Sequence, residues 1–448
     1  MPRWISPSSS LSCASSIMTN DSKLKSSTCV DRTSSPFQTS SRLTFRDTAM
    51  STALSLVLKA VLLTVGVPVA LYFGTISLLI VVPSFQAYAV YLHKVSLTWS
   101  KDLNIPEQFG FLHNQAVPFY VETEDGVSLH AWHIIPSGAY HKHEKQLLNQ
   151  DLSGPVSDIT STVNFRLLRE DSEARLVLYM HGTSGTIGST VRPSSYRNIY
   201  SAEANHIHVL TFDYRGYGLS SGAPTEPGLL LDALAILKWA TTVAEIPHDK
   251  IVVYGQSLGS AVTAALVNHM ATYDPSHPFA GIIMSATFTD LPSLTATYRI
   301  GGVIPVLAPI AKLPPLFRFF TSRLRDTWMV KNKIAEFIQR SNTYHLTLIH
   351  SEDDADIPVS HTQELFWHAV NATCATPISL LALEEDKARK KVDLGPGGWY
   401  VDWVTQKGTI RLHILKYGLH DLHMTFPVTS SAIRRAFQST HPDFAVFT

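Results

Sequence analysis

The 448-residue sequence has few cysteines, no excess charge of either sign and no metal-binding pattern. Cys13, Cys29 and Cys374 lie far apart, which excludes a disulfide framework and a cysteine-based metal site. The 36 basic residues balance 36 acidic residues, so we expect no nucleic-acid partner. The glycines around Gly216 and Gly218 lack the spacing and the following acid of a dinucleotide loop. We expect neither a metal nor a cofactor.

Charged residues make up only 16% of the chain, against 45% hydrophobic residues, which favours a large core or a membrane segment. The apolar run 60–82, AVLLTVGVPVALYFGTISLLIVV, contains no charge and is long enough to cross a bilayer. It is too long and too deep in the chain for a cleaved signal peptide. A core helix of a soluble domain, the other alternative, rarely lacks polar residues for so long. We predict a transmembrane helix over residues 60–82.

Residues 1–49 are rich in Ser and Thr and have almost no apolar periodicity, so we predict that they are disordered. Their bias to Ser and Arg also resembles an organelle transit peptide, although Asp21 and Asp31 weaken that interpretation. Met50 directly precedes the next element, so the start site, Met1 or Met50, stays open.

Basic residues flank the apolar run unequally. Three precede it and two follow it: Arg42, Arg46 and Lys59, then Lys94 and Lys101. This excess favours a cytosolic N-terminus and a globular domain in the lumen or outside the cell. The sequon Asn371-Ala372-Thr373 would be usable on that side.

From residue 104 to residue 448, strand and helix patterns alternate as in an α/β domain. A hairpin around Asp125-Gly126 comes first. Continuous apolar strands follow and imply a mostly parallel sheet covered by helices on both faces: Leu176–Met180, His208–Phe212, Ile251–Tyr254, Gly281–Ser285, Leu346–His350 and Ile410–Leu415. Residues 137–172 and 377–408 are insertions, the first polar and irregular, and the Pro-rich region 290–340 is predicted to form a cap.

The clearest catalytic signal is Gly255-Gln256-Ser257-Leu258-Gly259, which joins a strand to a small-residue helix. A turn this short strains its middle residue, Ser257. It also leaves no room for a side chain two positions before or after the serine, where Gly255 and Gly259 stand. We therefore predict that Ser257 is an exposed nucleophile beside the first N–H groups of a helix. The alternative is a serine that caps an ordinary helix.

A serine nucleophile needs a base, and the base needs an orienting group. The acidic loop 351–358 follows a strand and offers Asp354, or else Asp353, as the acid. After the last strand, a glycine turn would return His420, or else His423, to the serine. An acidic loop and structural histidines without catalytic roles are the alternatives.

The developing oxyanion needs two backbone N–H donors. One is Leu258, the residue after the nucleophile, and the loop His181-Gly182-Thr183-Ser184-Gly185 offers Thr183 as the other. We expect His181 to be buried and structural.

Together these motifs resemble the α/β-hydrolase domain family: HGTSGT from His181, DYRGYGLSSGAPTE from Asp213, GQSLGS around Ser257 and HSEDD from His350. The resemblance extends over most of residues 105–445 and, with the N-terminal span, indicates the branch of single-span endoplasmic-reticulum lipases acting on monoacylglycerols and lysophosphatidylserine. It implies an α/β-hydrolase fold with a cap and a triad of Ser257, Asp354 and His420.

The expected function is a membrane-anchored serine hydrolase that cleaves acyl esters of single-chain lipids through an acyl-serine intermediate. Its partners would be the acyl-lipid substrate and the bilayer, on the lumenal side of the endoplasmic reticulum. A protein depalmitoylase is the alternative enzyme, and a non-catalytic lipid-binding protein is the alternative of another class. Thr183 replaces an Asn usual in the branch, which matters little if only its N–H is used.

Overall fold

The computed structural model describes residues 41–300, 302–305 and 307–444, and the chain divides into two compact units, Met1–Tyr72 and Phe73–Thr448. In the first unit, residues 41–72 are helical throughout. The predicted disordered tail, residues 1–49, is therefore helical from residue 41, and its first 40 residues lie outside the described part.

The stretch Met50–Val81, 32 residues, is long and apolar enough to cross a membrane. It is formed by α1 (Ser41–Val61), a π-helical turn (Leu62–Gly66) and α2 (Val67–Val81). Pro68 has no N–H to donate to the preceding turn, which explains why the regular helix is interrupted there. The membrane-length stretch Met50–Val81 begins ten residues before the predicted span 60–82 and ends one residue before the end of that span.

The strands of the second unit are β1 (Ala116–Glu122), β2 (Ser128–Ile134), β3 (Arg175–Met180), β4 (Ile207–Phe212), β5 (Ile251–Gln256), β6 (Gly281–Ser285), β7 (Arg299–Ile300), β8 (Ile304–Pro305), β9 (Tyr344–Ser351), β10 (Val392–Asp393), β11 (Gly398–Val404) and β12 (Gly408–Leu415). Ten of them form one sheet in the order β1-β2-β4-β3-β5-β6-β9-β12-β11-β10, and β7 pairs with β8. The six central strands, from β4 to β12, are parallel.

The remaining helices are α3 (Pro83–Tyr91), α4 (Ser137–Leu148), α5 (Val163–Arg169), α6 (Arg192–Tyr200), α7 (Glu226–Lys238), α8 (Leu258–Tyr273), α9 (Leu291–Thr297), α10 (Ala308–Ala311), α11 (Pro314–Thr321), α12 (Val330–Arg340), α13 (Ser360–Asn371), α14 (Leu380–Lys390) and α15 (Pro427–Thr440).

Helices cover both faces of the sheet. Along β3, Leu176 and Leu178 pack in the core that contains α7 and α8, whereas Val177 and Tyr179 pack with α6 and α15. Successive strand side chains point to opposite faces, so a fully apolar strand must be buried on both sides. The predicted α/β-hydrolase fold with a mostly parallel sheet is confirmed.

The two predicted insertions are ordered parts of the second unit. Residues 137–172 were expected to be irregular, but they contain α4 and α5, and Phe165 and Leu168 of α5 are buried in the core. The side chain of Thr162 accepts a hydrogen bond from the N–H of Phe165 and begins α5. Residues 377–408 form α14, β10 and β11, and the two strands extend the sheet at its edge in antiparallel pairing.

Two predicted regions can be described further. The region 290–340, predicted to form a cap, ends in α12, which packs against α8 and α13. The second unit, called the hydrolase unit below, begins at Phe73 and so includes residues before the predicted start at residue 104, and Tyr91 of α3 is fully buried in its core.

Candidate active site

Ser257 occupies the tight turn between β5 and α8. Its backbone, with φ 53° and ψ −118°, adopts a conformation that costs a non-glycine residue about 1–3 kcal/mol. The N–H of Ser257 donates to the carbonyl oxygen of Ser285 at 2.9 Å. Its own carbonyl oxygen accepts hydrogen bonds from the N–H (2.9 Å) and the hydroxyl (2.5 Å) of Ser260. These bonds hold the strained turn.

Gly255 and Gly259 allow the turn to pack closely. A Cβ atom at Gly259 would lie 1.9 Å from the carbonyl oxygen of Met180, and one at Gly255 would lie 2.3 Å from the carbonyl oxygen of Gly259. Because both obstacles are backbone atoms, relieving either contact would require β3 or α8 to move. The two glycines therefore fix the position of Ser257 relative to the end of β3.

Asp354 is buried in the loop after β9. Its Oδ1 atom accepts hydrogen bonds from the N–H groups of Asp356 and Ile357, both at 2.9 Å. Its Oδ2 atom lies 2.8 Å from Nδ1 of His420 and 3.0 Å from Nε2 of His350. Burial by itself raises the pKa of Asp354, but the hydrogen bonds from the two histidines outweigh it and hold that pKa well below its usual range. The side chain is therefore a carboxylate.

His420 lies in the loop after β12 and contacts this carboxylate. Because ionised Asp354 can only accept hydrogen bonds, Nδ1 of His420 carries the proton, and Nε2 is the basic nitrogen of the neutral ring. Burial lowers the pKa of His420, whereas the hydrogen bond and the negative charge of Asp354 raise it. The net result is a pKa above the ordinary value for histidine.

The two alternative residues make other contacts. Asp353 accepts hydrogen bonds from both N–H groups of the turn 418–419, at 3.2 and 2.8 Å, and so holds the loop that carries His420. His423 is fully buried and hydrogen-bonded through Nε2 to the hydroxyl of Ser285. Burial lowers the pKa of His423 to about 4. Asp353 and His423 were the predicted alternatives to Asp354 and His420, and the structure brings Asp354 and His420 together.

His350, near the end of β9, was not predicted as a site residue. Its Nε2 atom faces two acceptors, Oδ2 of Asp354 and the carbonyl oxygen of Ile357, each at 3.0 Å, so this nitrogen carries a proton. Its Nδ1 atom lies 2.6 Å from the hydroxyl oxygen of Thr362. A histidine in a buried strand carries no signal of its own in the sequence, and only its position four residues before Asp354 could have pointed to it.

Thr183 and Leu258 line the same cavity as Ser257 and His420. Leu258 is the first residue of α8 and Thr183 lies in the loop after β3. Among the residues that the structure describes, neither backbone N–H has a hydrogen-bond acceptor. Both donors are therefore available to a bound ligand.

Arg192 holds the loop that contains Thr183. Its buried guanidinium donates hydrogen bonds to the carbonyl oxygens of Gly182 (3.0 Å), Ser184 (2.8 Å) and Thr186 (2.6 Å). The carbonyl of Gly182 and the N–H of Thr183 belong to one trans peptide and point in opposite directions. The N–H of Thr183 is thus directed away from Arg192, a role for this arginine that the sequence did not indicate.

The cavity has a volume of about 620 Å³. This lies within the ~300–1,000 Å³ that small-ligand sites usually occupy. Apart from the residues above, most of its lining is apolar, including Phe288, Leu291, Leu294, Leu307, Phe320 and Trp328. The site therefore combines the serine of a strained turn, one histidine–carboxylate pair and two N–H groups without acceptors among the described residues with a mostly apolar cavity surface.

The sequence model described as "Alpha/beta hydrolase family" matches residues 177–418. Lysophosphatidylserine lipase ABHD12 of Danio rerio is 27% identical over 290 residues, which cover 64% of this chain and 66% of that protein. Protein ABHD12B of Homo sapiens is 27% identical over 258 residues, covering 57% and 62% of the two chains. The match to these two relatives thus spans less than two thirds of their length. The resemblance predicted from the motifs is confirmed.

Among solved structures, the esterase Pf2001 of Pyrococcus furiosus superimposes with a TM-score of 0.43 and 17% identity, over 77% of this chain and 97% of the esterase. Est1E of Butyrivibrio proteoclasticus, with bound ferulic acid, gives a TM-score of 0.42 and 12% identity, over 72% and 100% of the two chains.

Proposed function

Because the chain belongs to the alpha/beta hydrolase family, we propose that it is a membrane-anchored serine hydrolase that cleaves acyl esters of single-chain lipids. The 2.8 Å contact between His420 and Asp354, beside the cavity that contains Ser257, carries this proposal. The names of its relatives support a lysophospholipid, above all lysophosphatidylserine, as the substrate. Monoacylglycerol is the second substrate of the same class.

In the proposed reaction, Nε2 of His420 accepts the hydroxyl proton of Ser257 as the serine oxygen attacks the ester carbonyl carbon. Asp354 fixes the tautomer of His420 and stabilises the imidazolium that forms. The N–H groups of Thr183 and Leu258 donate to the oxyanion, where loss of one such donor typically costs about 2.7–4 kcal/mol. His420 then protonates the leaving alcohol and activates the water that releases the fatty acid from Ser257.

We also propose that the hydrolase unit lies on the lumenal side of the endoplasmic reticulum. The helix Met50–Val81 is apolar enough to anchor the chain in a membrane. The lumenal side is supported by the excess of basic residues before this helix. The organelle is supported by the resemblance to the endoplasmic-reticulum branch.

A substrate panel tests the function. Full-length protein in phosphatidylcholine vesicles would be given 1-oleoyl lysophosphatidylserine, monooleoylglycerol and a palmitoylated peptide. We expect hydrolysis of at least one lipid by the wild type and by Ser276→Ala, an exposed control outside the cavity, and none by Ser257→Ala. Cleavage of the peptide thioester alone would replace this proposal with a depalmitoylase, and turnover of none of the three would reject it.

A further inference from the structure

The exposed part of the cavity lining lies mainly at the end of α2, in α3 and in the segment that follows α3. Five lining residues are exposed, and four of these lie between residues 75 and 97: Thr75, Tyr88, Ala89 and Leu97, with Thr190 as the fifth. The opening is thus formed mainly by the end of α2, by α3 and by the segment that follows. This part of the chain directly continues the apolar run 60–82.

Helix α3 is a fixed wall of this opening. The buried side chain of Gln86 donates hydrogen bonds to the carbonyl oxygens of Leu79 (3.0 Å) and Arg323 (3.2 Å) and accepts one from the N–H of Arg325 (2.8 Å). These bonds tie the end of α2 to α3, and α3 to the chain that follows α11. Hydrogen bonds to two other segments therefore fix the position of α3 at this opening.

The last residue of α3 connects this wall to the catalytic loop. The hydroxyl of buried Tyr91 donates to a carboxylate oxygen of Asp326 at 2.7 Å and accepts from the indole N–H of Trp328 at 3.3 Å. The carbonyl oxygen of Tyr91 accepts from the N–H of Ser184 at 3.2 Å. Ser184 follows Thr183, the predicted oxyanion donor, so the wall of the opening continues to the reaction centre.

Two of the lining residues belong to the membrane-length helix itself. Thr75 and Leu79 lie six and two residues before Val81, the last residue of that helix. At ~1.5 Å per residue, they lie about 9 and 3 Å from its end. With the edge of the hydrocarbon core placed at Val81, this is the depth of the acyl chains of the adjoining leaflet. Under this placement, the part of the cavity wall formed by Thr75 and Leu79 lies at the depth of the acyl chains.

We infer that the acyl chain of the substrate enters the cavity sideways from this leaflet, past Thr75, Leu79 and Ala89, and that its ester then meets Ser257. The inference rests on the proposed function and specifies how its substrate arrives. Exposing a long acyl chain to water is strongly unfavourable. An opening at leaflet depth lets the chain exchange one apolar environment for another, so the enzyme need not extract the whole lipid into water.

Bulky substitutions in the opening test this route. Ala89→Trp and Thr75→Trp would narrow it, whereas Ser84→Trp places the same side chain at an exposed position of α3 outside the cavity lining. The full-length variants would be assayed in phosphatidylcholine vesicles with embedded 1-oleoyl lysophosphatidylserine and monooleoylglycerol, and with water-soluble 4-nitrophenyl acetate. The quantity of interest is the ratio of the long-chain rate to the 4-nitrophenyl acetate rate, because the folded fraction cancels.

We expect this ratio to fall at least tenfold in Ala89→Trp and Thr75→Trp and to stay at the wild-type value in Ser84→Trp. A wild-type ratio in both opening variants would overturn the inference and leave the proposed function standing. A wild type that hydrolyses none of the lipid substrates would instead reject the proposed function, and the route with it.

Discussion

The Nε2 atom of His350 lies 3.0 Å from the Oδ2 atom of Asp354. The same oxygen accepts the hydrogen bond from His420, so two histidines share one carboxylate oxygen. A donor at His350 stabilises the negative charge of Asp354 and weakens the pull of that charge on the proton of His420. In the proposed reaction, His350 is thus a positioning residue that acts on His420 through Asp354.

Replacing His350 tests this coupling. In His350→Leu, Asp354 loses one donor, so its interaction with His420 strengthens and the pKa of His420 rises further. We expect the acid limb of the pH–rate profile to move to higher pH and the free energy of unfolding to fall by about 2 kcal/mol, as for a lost hydrogen bond to a charged group. His350→Gln keeps an N–H donor, so its acid limb and its free energy of unfolding should lie between those of the wild type and those of His350→Leu. An unshifted acid limb in a folded His350→Leu protein would contradict the coupling.

The wild-type pH dependence follows from the pKa of His420. In its proposed role as base, His420 works only as neutral imidazole, and Asp354 raises the pKa of His420 above the ordinary value of about 6.5. The rate of ester hydrolysis should therefore rise with pH through a midpoint above 6.5. His423, with a pKa of about 4, would predict a midpoint near that value if it were the base. Initial rates between pH 4 and 9 distinguish the two histidines.

The two neighbouring acids should respond differently to amide substitution. Asp354→Asn removes the charge that raises the pKa of His420 and can stabilise the wrong tautomer, so kcat should fall on the order of 10³–10⁴-fold. The acid limb should also move to lower pH, because burial lowers the pKa of His420 and the charge of Asp354 no longer opposes it. The side chain in Asp353→Asn still offers an oxygen to the turn 418–419, so kcat of this variant should fall less than about tenfold. The reverse order of the two losses in kcat would show that the acid is misassigned.

Arg192→Gln should impair the oxyanion donors without weakening substrate binding. Three carbonyl oxygens of the loop 182–186 lose their shared donor, so the N–H of Thr183 is no longer held toward the cavity. Loss of one oxyanion donor typically lowers kcat by about 10²–10³-fold, and KM should change little. Arg197→Gln, in the same helix but bonded to residues 109 and 110, is the matched control. An Arg192→Gln protein affected mainly in KM would contradict this role.

Local constraints made the tight turn at Ser257 and the placement of the two later loops predictable. Gly255, Ser257 and Gly259 must stand at fixed spacing because backbone atoms fill the space beside the turn, so the motif is visible in any sequence that forms it. The positions of Asp354 and His420 follow from chain order, since each comes after a parallel strand that ends at the same edge of the sheet.

Contacts between distant segments could not be predicted in the same way. Gln86 and Tyr91 are held in the hydrolase unit by hydrogen bonds to residues 323–326. In the sequence these two residues follow the apolar run 60–82, and no motif indicates that they contact a segment more than 200 residues later. Arg192 donates to carbonyl oxygens of the loop that contains Thr183, and His350 contacts the carboxylate of Asp354. Folding brings these groups together, so the sequence alone did not indicate either contact.

The central claim, that Ser257 is the acylated nucleophile, is tested most directly by fluorophosphonate labelling of the full-length protein followed by peptide mass spectrometry. We predict one phosphonylated peptide that contains Ser257, and no labelling of the Ser257→Ala protein under the same conditions. A label on another serine, or labelling that persists in Ser257→Ala, would contradict the account.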